Sequence, residues 1–336
     1  MKELSPNLGE ILIATARLLV AHGLVARTWG NLSRRLGPHS YLITPSGRDY
    51  EAMTAGDLVE VDFNGNYRGA LKPSGERGVH REIYRQRKDA HFVIHTHQPF
   101  ASAMSLCGHD LPLPPELAAR VGAKVLPISR YGLPSTKKLA RCVGVTIRET
   151  GARAVLMQGH GAVLFGTDGA ELVSLALDLE QLCRERFVEL TGVHPVSSTL
   201  VRRFERDDFD LPPQILHLFM HREEAGAIIG DDDPLLARFL SGGLRAYLDD
   251  FSQLIGLRVG KGLGANLVFG RKTVYFLGAD LDEAEATRQV AYKNALAACV
   301  AQVSGAKAIP LVDGALMRAV YKMKYSKLKD DGPDAD

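Results

Sequence analysis

Two histidines one residue apart, His95 and His97, close the apolar run Phe92-Val93-Ile94. Successive side chains on an extended strand point to opposite faces, so positions i and i+2 share a face and both imidazoles can turn toward one metal ion. In isolation such a pair is also consistent with polar residues at a strand end, and a third donor decides between the two readings. His160 is the candidate. It lies in Gly159-His160-Gly161, a tight turn between Ala154-Val155-Leu156-Met157 and Ala162-Val163-Leu164-Phe165-Gly166, where an imidazole can leave the sheet toward a neighbouring strand end. Three neutral imidazoles with an open fourth position are the donor set of a catalytic zinc site, whereas structural zinc is usually closed in by cysteines.

Three further turns carry groups suited to an anion: Gly30-Asn31-Leu32-Ser33, Thr44-Pro45-Ser46-Gly47 and Lys72-Pro73-Ser74-Gly75-Glu76. The last leads into a helix containing His80, and a helix N-terminus offers free backbone N–H groups to negative charge. Glu76 there is equally a capping carboxylate, and small polar residues favour turns everywhere.

The elements that must position these groups follow from pattern. Ser5-Pro6 as N-cap and first helical residue, with Gly23 as the stop, predict an amphipathic helix over 6–22. Tyr41–Thr44 and Leu58–Asp62 read as strands, and Asn64-Gly65-Asn66 after the second is a hairpin signal. A helix is expected over 75–87, placing His80 and Tyr84 on one side, and a strand over 92–97. Another helix is expected over 135–149, with Ser135 as its N-cap, and a long one over 170–190. Strands interleaved with helices, several joined by hairpins, predict an α/β layer fold whose sheet is largely antiparallel.

At 336 residues the chain exceeds what one hydrophobic core usually serves, so two domains are expected, 1–195 and 214–326, separated by a polar, proline-containing stretch near 194–213. The second domain carries an echo of the first. Phe165-Gly166-Thr167-Asp168-Gly169 before one long helix is matched by Leu277-Gly278-Ala279-Asp280-Leu281 before another, which reads as a degenerate repeat with Lys272 at the place of His160. Gly260-Lys261-Gly262-Leu263-Gly264-Ala265 reads as a turn, and the charged tail from Lys327 is expected to fray. A formal net charge of +2 gives no reason to expect nucleic acid or an anionic membrane as partner. Four scattered cysteines, Cys107, Cys142, Cys183 and Cys299, build neither a disulfide framework nor a thiolate site, and no run of apolar residues spans a membrane, so a cytoplasmic protein is expected.

Taken in order, Gly30-Asn31-Leu32-Ser33, Thr44-Pro45-Ser46-Gly47, Lys72-Pro73-Ser74-Gly75-Glu76 with His80, His95-Thr96-His97, Tyr131 before Pro134, and His160-Gly161 resemble the class II aldolase/adducin family over about residues 5–192. The resemblance implies an α/β/α sandwich and a homo-oligomer, usually a tetramer. It implies that His95, His97 and His160 hold zinc or another divalent metal and that Glu76 is the acid/base. Asn31, Thr44, Ser46, Gly47 and Ser74 would surround the phosphate of a sugar phosphate or its keto-sugar equivalent, and Tyr131 would lie near the reacting carbon. The implied activity is that of a lyase breaking or making a C–C bond through a metal-stabilised enediolate. Glu76 as proton carrier asks for a carboxyl raised by partial burial. Two positions depart from the family pattern: Gly75 stands where a second serine is usual, and Ser135 where a glycine follows Tyr-x-x-Pro. Dehydratase and decarboxylase chemistry would use the same metal site. A non-catalytic, adducin-like interaction protein is the contrasting class, and its aldolase-like domain lacks the metal histidines that this chain retains.

Overall fold

A computed structural model describes residues 6–25, 29–68, 71–196, 199–259 and 265–330. The chain divides into two compact units, Met1–Phe187 and Val188–Asp336. Ser5 and the glycine-rich stretch 260–264 lie outside the described residues.

The first unit runs α1 (Pro6–Ala21), β1 (Asn31–Arg35), β2 (Ser40–Ile43), β3 (Val59–Asp62), β4 (Tyr67–Arg68), α2 (Arg77–Gln86), β5 (Phe92–Thr96), α3 (Pro99–Met104), β6 (Leu111–Pro112), α4 (Pro115–Val121), β7 (Val125–Leu126), β8 (Ile128–Ser129), α5 (Lys137–Thr150), β9 (Ala154–Met157), β10 (Gly161–Gly166) and α6 (Gly169–Thr191). Eight of these strands form one sheet in the order β4-β3-β2-β1-β5-β10-β9-β8, antiparallel throughout except for the β8–β9 pair. Helices α2 and α5 cover one face. Val79, Ile83, Leu139, Val143 and Ile147 from the helices interlock there with Tyr41, Ile43, Val93, Val163 and Phe165 from the sheet. Alternation along β5 puts Val93, His95 and His97 on this face and Phe92 and Ile94 on the other. α1 and α3 pack against the sheet through β1, β9 and β10.

Two local expectations change. The N-cap of α5 is Thr136, whose hydroxyl accepts from Leu139 N at 3.3 Å; Ser135 lies one residue earlier with φ of +63°, the left-handed region. The stretch 194–213, expected as a linker, holds β11 (Val201–Glu205), an edge strand of the second unit's sheet. Arg203 and Glu205, two apart, are its exposed residues, and the stretch reads as polar because one face of an edge strand meets solvent.

The second unit continues with α7 (Pro213–His221), β12 (Ala227–Asp231), α8 (Pro234–Ala237), β13 (Leu244–Arg245), α9 (Asp249–Leu254), β14 (Arg258–Val259), β15 (Leu267–Phe269), β16 (Val274–Gly278), α10 (Leu281–Ser304) and α11 (Leu311–Asp330). Its main sheet is antiparallel in the order β11-β12-β16-β15. The tail expected to fray from Lys327 is helical to Asp330, continuing a run of strong helix formers. Among the described residues no helix is long and apolar enough to cross a membrane.

Candidate active site

The site forms at the end of β5. His95 is opposite Asn31 on β1 and opposite Val163 on β10, so the central strands set three neighbouring positions on the face under α2. His97 follows one residue past the strand, where the chain turns into α3. Thr96 Oγ1 donates to Gln98 Oε1 at 2.7 Å, and Gln98 Nε2 donates to Ala176 O at 2.6 Å, which fixes that corner. His160 is delivered by the β9–β10 turn. Its N–H bonds Met157 O at 3.0 Å, and Gly159 takes φ of +70°, with its N–H bonded to Ser105 Oγ at 3.0 Å. Gly161 cannot carry a side chain, because a Cβ there would stand 2.2 Å from Thr96 O. That backbone approach brings His160 against His95.

The three imidazole rings lie with centroids 4.6 to 4.9 Å apart, and their donor atoms and a Glu76 carboxylate oxygen all fall within 4.8 Å of one another. His95 Nδ1 donates to Ala162 O at 2.8 Å, which turns its Nε2 lone pair inward to face His160 Nε2 at 3.1 Å. Two nitrogens on one tetrahedral zinc, each about 2.0–2.1 Å from the ion, stand about 3.3 Å apart. Donor set, spacing and the outer hydrogen bond on His95 therefore fit a divalent cation. His95 and His160 are buried and His97 half-buried, so the cage is open on one side.

Glu76 is the N-cap residue of α2 and joins the cage as a fourth donor, with Oε2 3.0 Å from His95 Nε2 and Oε1 2.9 Å from His160 Nε2. Burial pushes its carboxyl up, but the charge and hydrogen bonds of His160 and His95 more than offset this and hold it well below the ordinary carboxylate range. The direction is opposite to the rise that burial alone would give, because the adjoining imidazoles favour the ionised carboxylate.

Behind Glu76 runs a buried polar chain. Asn31 Nδ2 donates to Glu76 Oε2 at 3.1 Å, and Asn31 Oδ1 accepts from His80 Nε2. Ser33 Oγ meets His80 Nδ1 at 2.6 Å and Tyr84 OH at 2.8 Å. Every group finds a complementary partner if His80 is neutral with its proton on Nε2, and burial pushes the His80 pKa down to about 3. Helical spacing of four aligns Glu76, His80 and Tyr84 on one face of α2; strand spacing of two aligns Asn31 and Ser33 opposite them. The role of His80, Ser33 and Tyr84 was missed from sequence, although the four-residue ladder Glu76-His80-Tyr84 was its visible signal.

The other expected site residues take distinct positions. The loops carrying Thr44, Ser46, Gly47 and Ser74 are joined by Ser46 N to Lys72 O at 2.9 Å and Ser74 N to Thr44 O at 3.1 Å. Thr44 is fully buried, its hydroxyl accepting from Leu32 N at 3.2 Å, so it supports β1. Ser74 Oγ accepts from Glu76 N at 3.2 Å, and Gly47 turns the chain with φ of +78°. Tyr131 is half-buried, its N–H bonded at 3.1 Å to Oε1 of Gln158, two residues before His160. The two departures from the family pattern face each other, since a Cβ on Gly75 would lie 2.6 Å from Ser135 Oγ.

Comparison with known proteins identifies the family of the first unit. Residues 10–187 match the profile of the Class II Aldolase and Adducin N-terminal domain. Over 174 residues the chain is 33% identical to the 5-methylthioribulose-1-phosphate/5-deoxyribulose-1-phosphate aldolase of Rhodospirillum rubrum, covering 52% of this chain and 77% of that protein. It is 29% identical over 190 residues to the L-fuculose phosphate aldolase of Escherichia coli, covering 56% of this chain and 87% of that one. A solved L-fuculose 1-phosphate aldolase superposes with a TM-score of 0.52 at 26% identity, over 66% of this chain and 97% of the other. The fold, the His and Glu cage and these likenesses together make the chain a member of the class II aldolase and adducin family.

Proposed function

We propose that the protein is a divalent-metal-dependent lyase that cleaves or forms a C–C bond in a small ketose phosphate, with His95, His97 and His160 as metal ligands. The convergence of three imidazoles and Glu76 within 4.8 Å carries this reading. It is an enzyme of the aldolase type, and two named relatives act on phosphorylated ketoses. Zinc is the ion that three neutral imidazoles favour, and when bound it would polarise a ketose carbonyl and let negative charge build on oxygen as the C–C bond breaks.

The chain's own groups supply the rest. Glu76 stands ionised among the ligands, so a substrate oxygen entering the cage displaces it and frees a carboxylate to take or return a proton. Asn31, held by His80, limits how far that carboxylate swings. Ser74, Ser46 and Gly47 sit on the joined loops beside Glu76 and are assigned to the anionic end of the substrate, while Tyr131 is assigned to the aldehyde side. Sugar phosphates are soluble metabolites, which accords with a cytoplasmic protein, and homo-oligomeric assembly follows the family's habit. Zinc-loaded protein incubated with L-fuculose 1-phosphate and 5-deoxyribulose 1-phosphate should release a three-carbon ketone phosphate. Loss of water from either substrate without C–C cleavage would replace the aldolase reading with a dehydratase, and release of carbon dioxide from a keto acid by protein inert toward both ketose phosphates would replace it with a decarboxylase.

A further inference from the structure

The second unit repeats the first in register, not only in order. Strand β12 takes the place of β5. Gly166 pairs with Phe92 and Gly278 with Ala227, and the helix after each glycine begins three residues later. Seven residues beyond Phe92 and Ala227 stand Pro99 and Pro234, each the first residue of a helix. Side chains keep the same correspondence. Arg35 Nε donates to Ala90 O at 2.8 Å and Arg206 Nε to Ala225 O at 3.0 Å; their Nη2 atoms reach Arg87 O at 2.9 Å and Arg222 O at 2.8 Å. Arg87 pairs with Asp89 at 2.7 Å and Arg222 with Glu224 at 2.6 Å. His91 N bonds Gly166 O at 2.8 Å, and Gly226 N bonds Gly278 O at 2.9 Å.

The chemistry is absent from this second frame. Register puts Gly230 where His95 stands, Asp232 where His97 stands and Lys272 where His160 stands, and counting back from Arg222 puts Leu211 at the place of Glu76. Arg202, opposite Gly230 as Asn31 is opposite His95, donates through Nη2 to Asp232 Oδ1 at 3.0 Å and Thr273 Oγ1 at 3.0 Å, while Thr273 Oγ1 donates to Asp232 Oδ1 at 2.5 Å. A tethered guanidinium thus sits beside Asp232, the one carboxylate at a ligand position of this frame, and its charge opposes entry of a metal ion. The polar chain is gone as well. Phe204, Ile215 and Phe219 replace Ser33, His80 and Tyr84 and pack as apolar core.

We infer that residues 201–305 are a second copy of the N-terminal fold core whose metal cage has been replaced by an arginine–aspartate cluster, so that the chain holds one metal and one active site. The comparison rests on the cage proposed for the first unit, and its test separates the two readings. Protein saturated with zinc and freed of excess is assayed for metal by elemental analysis, as parent, His97→Ala, and R202M/D232N. The expected zinc per chain is one, near zero and one, and the double variant keeps kcat/KM within twofold of the parent while melting at a lower temperature. Two zinc ions per parent chain, or loss of turnover in a folded R202M/D232N variant, would overturn the inference. A parent chain that binds no zinc would contradict the proposed function alone, because the second unit would still be metal-free.

Discussion

Asn31 donates from Nδ2 to Glu76 Oε2 at 3.1 Å while its Oδ1 accepts from His80, so the carboxylate of the cage is tied to the buried His80–Ser33–Tyr84 chain through one amide. Asn31→Ala should leave His80 Nε2 and Glu76 Oε2 each short of a partner, at a cost of about 1–3 kcal/mol in stability. It should also lower kcat with little change in KM, because Glu76 loses its guide. Denaturant titration and steady-state kinetics check this; an unchanged kcat in a destabilised variant would reduce Asn31 to a packing role.

Glu76→Gln preserves shape and removes the charge. The variant should keep its metal and lose about 10²–10⁴ in kcat, the usual span for one proton-transfer group. Metal content with turnover measures both halves of the statement, and a rate near that of the parent would remove Glu76 from the chemistry.

Much of the site is legible in the sequence. His95 and His97 declare a shared face by strand spacing alone, and His160 in its glycine turn announces an imidazole outside the sheet. Direction of the Glu76 shift was not visible, because it depends on His160 and His95 arriving within 3.0 Å, a relation between segments far apart in sequence. Ser135 looked like an N-cap because serine caps often; Thr136 competes for the role one residue later and takes it. The second unit was legible only in its Gly-x-Asp turn and long helix. Gly230 and Asp232 stand at the places of His95 and His97 and Arg202 at that of Asn31, so the residues that would mark the repeat are missing, and strand register with the matching arginine bonds recovers it.

Gly75 and Ser135 should behave as a coupled pair. Gly75→Ser alone brings a Cβ to 2.6 Å from Ser135 Oγ beside Glu76 and should lower kcat/KM by roughly tenfold, equivalent to about 1.4 kcal/mol. Adding Ser135→Gly removes the clash and the left-handed strain, so the double variant should recover most of the loss. Additive effects in the double-mutant cycle would contradict the contact.

Neutral His80 makes stability pH-dependent. Its folded pKa of about 3 lies below the unfolded value of about 6.5, so the unfolded chain binds the proton first. The contribution is complete above pH 6.5 and falls by up to about 1.4 kcal/mol per unit as pH drops from there toward 3. His80→Gln should flatten the fall measured by denaturant titration between pH 6.5 and 4.5. An equally steep fall in the variant would assign the acid sensitivity to other groups.

The central claim is that His95, His97 and His160 hold one cation on which C–C cleavage depends. Turnover of a ketose 1-phosphate by chelator-stripped protein, before and after one equivalent of zinc, tests it directly when paired with His160→Ala. The account predicts no activity in the stripped protein, recovery on adding zinc, and no recovery in the variant. Cleavage that persists without metal, or that zinc restores without His160, would contradict it.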